Sequence, residues 1–245
     1  MKLNYQELWV AAHGTAMNMI KRLGLMELEL DAKQAEVDKL NQEISRLRGQ
    51  VHQFSFDELT GLPGRRLMEE LFDKQLAVAK RANFKEGGNP DGDLAGHLCV
   101  LVVDLDKFKS INDNYGHDGG DQVLKWFALV IRENIRHSDI GCRFGGDEFV
   151  IVLPRCKLDD AVVKVAKKLG DSFIQLQTEA GQKIISTLSV GIACLANVND
   201  TVETLIKQAD DAMYKAKKLI DKDGCTCFAA AGDGIFVQKL PAPQE

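Results

Sequence analysis

The chain has 245 residues, enough for one well-packed domain of ordinary size and an additional element. Apolar residues make up 45% and charged residues 27%, the balance of a soluble globular protein. A formal charge of -5 gives no broad basic field, which argues against polymeric nucleic acid as a partner but admits a small polyanion held by a metal ion and a few lysines.

Residues 1–22 read as helical, with Trp9, Val10, Met17 and Ile20 as apolar anchors and His13 as a surface or packing histidine. From residue 23 to 55 an apolar seam steps by three and four: Leu23, Met26, Leu30, Lys33, Val37, Leu40, Ile44, Leu47, Val51, Phe54. Heptads sustained this long predict a coiled-coil stalk, roughly 45–50 Å long, rather than a helix lying on a globular core. In a parallel homodimer Glu43 and Arg48 would fall at positions that pair between chains, and Lys33 on the seam would help fix register.

The segment "FDELTGLPGRRLMEELF" breaks that helix with Gly61, Pro63 and Gly64 and starts another. The polar, glycine-rich "NFKEGGNPDGDLAGH" reads as a surface loop. "LCVLVVDLDKF" predicts a central strand ending at Asp104, and "DQVLKWFALVIRENIR" a helix. "RFGGDEFVIVL" reads as strand, turn, strand. "DDAVVKVAKKLGDSFIQL" predicts a helix capped by Asp159 or Asp160, and "KIISTLSVGIACL" a strand pair or one long strand. "TVETLIKQADDAMYKAKKL" predicts a last helix over a domain spanning 56–228, with 229–245 as a tail. The order contains a β-α-β-β-α-β core, an α+β fold of ferredoxin-like, palm type with helices on one face of the sheet.

No apolar run approaches the ~20 residues of a membrane helix, and no signal pattern opens the chain. Cys99, Cys142, Cys156 and Cys194 lie in or beside apolar runs, where reduced thiols act as small hydrophobes; Cys225 and Cys227 have poor zinc spacing. A reduced cytoplasmic location is the expectation.

The chemistry-bearing residues gather at two turns. Asp104 ends one strand, and Gly145-Gly146-Asp147-Glu148 occupies the tip of the following strand pair. If those strands are neighbours, three carboxylates converge at one sheet edge. Carboxylates so placed repel unless a cation holds them, and an all-oxygen donor set suits magnesium, with manganese as the alternative. Such a site fits phosphoryl or nucleotidyl transfer. The plainer reading of the same residues is a polar hairpin tip with solvated acids.

The motifs "DELTGLPGRR", "VVDLDKFKSINDNYGHDGGD", "RHSDIGCRFGGDEF", "LSVGIA" and "ADDAMYKAK" occur in the order and spacing of one family. The chain resembles the GGDEF-domain diguanylate cyclases over residues 56–220. The resemblance implies condensation of two GTP into cyclic di-GMP, with release of two pyrophosphates, by two domains facing each other. It implies that Asp104, Asp147 and Glu148 are the catalytic residues, with magnesium on Asp104, Asp147 and the Leu105 carbonyl and Glu148 beside the metals and the reacting hydroxyl. It places the phosphates at the backbone of Lys107 and Phe108, near Lys109 and Lys217, and leaves room for the α-phosphate and ribose at Gly145 and Gly146. Asn112 and Asp121 would read guanine, whose adjacent N–H donors a carboxylate can accept, with His117 nearby in a structural role. Arg136 and Asp139 match the family's product-inhibition motif, and Lys167 would add charge there. In two places the chain departs from the family. Ile220, Asp221 and Lys222 replace the usual Gly-Arg-Asn, leaving the arginine's phosphate role to Lys222 or Lys218, or unfilled. Gly64 stands where the family usually has Asn.

Overall fold

The computed structural model describes residues 4–84, 96–183, 185–218 and 227–230. It forms two units, Met1–His52 and Gln53–Glu245. Helix α1, Tyr5–Ser55, makes up the first unit and is continuous across the expected division at residues 22 and 23. At about 1.5 Å per residue it is roughly 75 Å long. Its described seam residues Leu23, Met26, Leu30, Val37, Leu40 and Ile44 are all exposed, between 44% and 68%, so this apolar stripe is not buried by its own chain. His13 packs its ring 3.9 Å from that of Trp9. Within its own helix Glu43 takes two bonds from Arg46, at 2.7 and 2.8 Å.

The second unit follows in the order α2 (Arg65–Asn83), β1 (Leu98–Leu105), α3 (Phe108–Asn134), β2 (Ile140–Gly145), β3 (Glu148–Pro154), a turn of α4 (Leu158–Asp160), a π-helical segment (Ala161–Ala166), α5 (Lys167–Glu179), β4 (Leu188–Cys194), α6 (Val202–Lys218) and β5 (Cys227–Ala230). The sheet order is β2-β3-β1-β4-β5, antiparallel except for the β4–β5 pair. The β-α-β-β-α-β core is therefore present, with a fifth, parallel strand that crosses the expected start of the tail at 229. Most of the polar stretch before β1 and all of Ile220–Lys222 lie outside the described residues. No helix among the described residues is long and apolar enough to cross a membrane.

Both faces of the sheet are covered, where helices on one face alone were expected. Alternate residues of β1 explain it. Leu101, Val103 and Leu105 join Phe127, Phe149 and Phe173 under α3 and α5, while Val100 and Val102 join Met68, Phe72 and Met213 under α2 and α6. Every residue of β1 is buried. A strand packed on both sides needs an unbroken apolar run, and "LCVLVV" supplies it.

Three local expectations are corrected. Cys99 and Cys194 are not reduced thiols: they face each other in the β1–β4 register and are joined as a disulfide. Cys142 and Cys156 remain free and buried, and burial first of all pushes their thiols up to about 12 and about 11, which keeps them inert. Neither Asp159 nor Asp160 caps its helix; Lys157 holds the N-cap, and Asp160 pairs with Lys164 at 2.8 Å. Of the two alternatives for "KIISTLSVGIACL", the single strand holds but is shorter, Leu188–Cys194, and Ser186 and Thr187 before it turn their polar groups to another task described below. At the start of α2, Gly64 is an N-cap with no side-chain bond, which is what Asn at that position would supply.

Candidate active site

The site forms where β1 and the β2–β3 hairpin end together. In the β1–β3 register Asp104 lies opposite Glu148, so both carboxylates stand on the α2/α6 face of the sheet. Between Gly145 and Glu148 the hairpin tip is Gly146-Asp147. The Leu105 N–H donates to the Asp147 carbonyl at 3.3 Å and ties that tip to the end of β1. Gly146 has φ +52°, a conformation that side chains strain to adopt, and a Cβ at Gly145 or Gly146 would meet nothing within 4 Å. The glycines thus leave the tip open as well as tightly turned.

From α6, Lys217 donates to Asp104 at 2.7 Å, and Asp210 adds a fourth acid that the sequence reading did not single out. Burial raises the Asp104 carboxyl, and Asp147 and Asp210 raise it further against the pull of Lys217. Glu148 is raised by burial and then by Asp104, Asp147 and Asp210. Burial opposes the charge on Lys217, but Asp104, Asp147 and Asp106 outweigh it and hold the ammonium above its ordinary range. Four acids against one lysine make a site that favours added positive charge. A cleft of about 710 Å3 opens beside Glu148, with Asp210, Lys207, Arg65 and Phe144 on its walls.

Among the described residues, no three of His, Cys, Asp or Glu are placed to hold one ion. Magnesium is commonly held by one or two carboxylates together with substrate phosphates, so the pair Asp104 and Asp147 with the Leu105 carbonyl suits that ion. Their oxygen-only chemistry and their mutual repulsion are the observations that fit it.

The turn after β1 has a support that the sequence reading missed. Asp106 is buried, and its carboxylate accepts hydrogen bonds from the Thr187 and Ser189 hydroxyls, both at 2.7 Å. Its N–H donates to the Thr187 carbonyl and its own carbonyl accepts from Ser186. The next residue, Lys107, is left-handed at φ 61° and caps α3. A left-handed residue leading into a helix turns successive N–H groups to one side, a concavity suited to anions. Lys107 and Lys109 are exposed there and Phe108 is half-buried.

Helix α3 breaks at Gly116, and Asn112 and Asp121 stand on its two halves. A Cβ at Gly120 would collide with the Asn112 carboxamide, so glycine lets the two halves close on each other and leaves room for Asn112 beside the residue that precedes Asp121. His117 is exposed just past the break.

Arg136 and Asp139 form a closed turn just past the C-terminal end of α3. The Arg136 N–H donates to the Asp139 carboxylate at 2.9 Å, and the Asp139 N–H to the Arg136 carbonyl at 3.0 Å. They border a cavity of about 220 Å3 together with Lys164 and Lys168. Lys167 is not part of it and pairs with Asp171 at 3.2 Å. Lys164, in the π-helical segment, and Lys168, one turn on at the start of α5, lie four residues apart and border the cavity together.

A strand-end acid pair beside an open glycine turn, on a five-stranded α+β sheet, defines the class. The family model "Diguanylate cyclase, GGDEF domain" matches residues 54–222, and the chain belongs to that family. It is 39% identical over 167 residues to the response regulator PleD of Caulobacter vibrioides and 35% identical over 182 residues to the diguanylate cyclase DosC of Escherichia coli. These matches take in 66% and 74% of this chain but 33% and 35% of those proteins, so the chain spans about a third of the length of these curated relatives. Among solved structures, the coiled coil and GGDEF domain of DgcB from Caulobacter crescentus, in complex with c-di-GMP, superposes with a TM-score of 0.61 at 26% identity, covering 79% of this chain and 94% of that one. A GGDEF-only form of TpbB (YfiN) from Pseudomonas aeruginosa gives 0.56 at 33% identity, over 72% and 94% of the two chains.

Proposed function

We propose that this chain is a diguanylate cyclase that condenses two GTP into cyclic di-GMP. The observation that carries the reading is the register of Asp104 opposite Glu148, with Asp147 and Lys217 at the same strand end. Each domain would bind one GTP, its guanine at Asn112 and Asp121, its phosphates at the Lys107–Phe108 amides and Lys217. When two domains face each other, each 3′-hydroxyl releases its proton to solvent and its oxygen bonds to the other's α-phosphorus. The α–β anhydride bond breaks, so two GTP yield one cyclic di-GMP and two pyrophosphates. Asp104, Asp147 and the Leu105 carbonyl would hold magnesium, which when bound would supply positive charge beside the phosphates. The residues of this chain mainly hold and orient the reactants. Incubating the protein with GTP and magnesium and identifying the product tests the reading.

The exposed seam of α1 supports a dimeric stalk that raises the local concentration of facing domains. Leu40→Pro with Leu47→Pro is expected to make activity per subunit fall steeply on dilution; a rate independent of concentration would remove the stalk from the account. Product inhibition is assigned to Arg136 and Asp139. Arg136→Ala is expected to raise the inhibitory concentration of cyclic di-GMP about 10-fold or more, the worth of a charged hydrogen bond. The double variant Lys164→Ala, Lys168→Ala should also raise it, with Lys167→Ala having little effect. A second reading, a domain that binds cyclic di-GMP without turnover, has the acid Asp221 in its favour, at a position where the family's arginine reaches phosphate.

A further inference from the structure

Arg143 lies two residues before Gly145, and all three nitrogens of its guanidinium are engaged. Its Nε and Nη2 both donate to the Gly146 carbonyl, at 2.9 and 2.8 Å. Its Nη1 donates to both oxygens of Asp57, at 3.1 and 3.0 Å. Asp57 is itself fixed, accepting from the Thr60 N–H at 2.8 Å and the Thr60 hydroxyl at 2.6 Å. The Thr60 carbonyl is held in turn by Arg132 at 2.9 Å. Both charged partners are largely shielded, with side chains 15% and 24% exposed.

Carbonyls at the tip of a two-residue hairpin ordinarily face water. Here the Gly146 carbonyl is gripped by two N–H groups of one planar cation, which fixes the plane of the Gly146–Asp147 peptide. The next peptide is fixed as well, because the Leu105 N–H donates to the Asp147 carbonyl. With the peptide on each side of Asp147 held, both of its backbone dihedrals are restrained, and the direction of its Cα–Cβ bond is set, which limits where its carboxylate can reach. Asp147 needs this more than most residues, since its neighbour is a glycine at positive φ with open space around it.

We infer that Arg143 is a positioning residue for nucleotidyl transfer, which aims the Asp147 carboxylate by clamping the Gly146 carbonyl against Asp57. The inference rests on the cyclase reading for its rate consequences, but the clamp has consequences of its own. A lysine cannot do the same work. Its single ammonium lacks the planar fork that spans a carbonyl and a carboxylate at once. The first residues after α1, the Asp57–Thr60 turn, therefore bear directly on the geometry of the signature turn.

The test uses the full chain with Arg143→Ala, Arg143→Lys and Asp57→Asn. Amide hydrogen exchange at Gly146, Asp147 and Glu148 is expected to quicken about 10-fold or more in Arg143→Ala and Arg143→Lys, with the β1 and β4 amides unchanged. kcat should drop about 100-fold in both, the scale at which misplacement of about 1 Å acts, while KM for GTP moves by less than about threefold. Methylguanidine should restore part of the rate to Arg143→Ala. Asp57→Asn, which keeps an acceptor but loses the charge, should lie between wild type and Arg143→Ala, and it carries the test if the Arg143 variants do not fold. Unchanged exchange at the tip, or full rescue by lysine, overturns the inference. If the wild type makes no cyclic di-GMP, the cyclase reading fails, and the exchange result still decides whether the clamp exists.

Discussion

Asp147→Asn is expected to abolish cyclic di-GMP synthesis, lowering turnover by about 1000-fold, while the melting temperature stays within a few degrees of wild type. The substitution keeps the size and the hydrogen-bonding reach of the side chain and removes only its charge. Asp147 is half-buried at a hairpin tip, and no packed core depends on it. Its charge is felt by Asp104, Glu148 and Lys217, so it belongs electrically to the cluster at the strand end. Removing one well-placed electrostatic contact from a transition state commonly costs about 100- to 1000-fold in rate. The upper end is expected here because a neutral amide is also a poor ligand for a hard divalent cation. Single-turnover rates with wild type and variant, alongside thermal melts of each, separate chemistry from folding. An active Asp147→Asn would show that the signature acid plays no part in the reaction.

Asp106→Ala is expected to act in the opposite way, through stability. It leaves the Thr187 and Ser189 hydroxyls buried with their acceptor gone, and a buried unsatisfied group costs about 1–3 kcal/mol. The loss should total about 2–5 kcal/mol. For a domain of this size that is a drop in melting temperature of about 5–15 °C. Asp106→Asn should cost far less, since hydroxyls can rotate to donate to its oxygen or accept from its nitrogen. The pH dependence carries a sign. Burial, before any other influence, raises the Asp106 carboxyl, so the folded protein keeps this proton to a higher pH than the unfolded chain. That term favours folding below the ordinary carboxylate value of 3.8 and is lost as pH rises through the folded value. Wild type should therefore gain on Asp106→Asn as the pH falls through that range, which urea midpoints at a series of pH values would reveal. Parallel profiles would mean that Asp106 titrates alike in both states.

What could be read from the chain was what lies close together in it. The seam of α1, the buried run of β1, the glycine turn and the acids beside it are all patterns within a few residues. The convergence of Asp104 with the hairpin followed from one correct topological step, that β1 and β3 are neighbours. The supports of the site were not legible, because each joins residues far apart. Asp106 meets Thr187 and Ser189 across more than 80 positions, Arg143 meets Asp57 across 86, and Cys99 meets Cys194 across 95. The lysines that border the Arg136 cavity, Lys164 and Lys168, were not legible either, because nothing local marks which lysines of that helix face the turn after α3. The two-sided burial of the sheet, by contrast, was latent in "LCVLVV", since a strand open on one face would alternate.

The central claim is that the strand-end acids and the open glycine turn make cyclic di-GMP from GTP. The most direct measurement is to incubate the purified chain with GTP and magnesium and resolve the nucleotides by chromatography. The account predicts one cyclic di-GMP for every two pyrophosphates, formed by wild type and not by Asp147→Asn. A folded protein that binds cyclic di-GMP, has been freed of it, and still converts no GTP would contradict the account and favour a receptor.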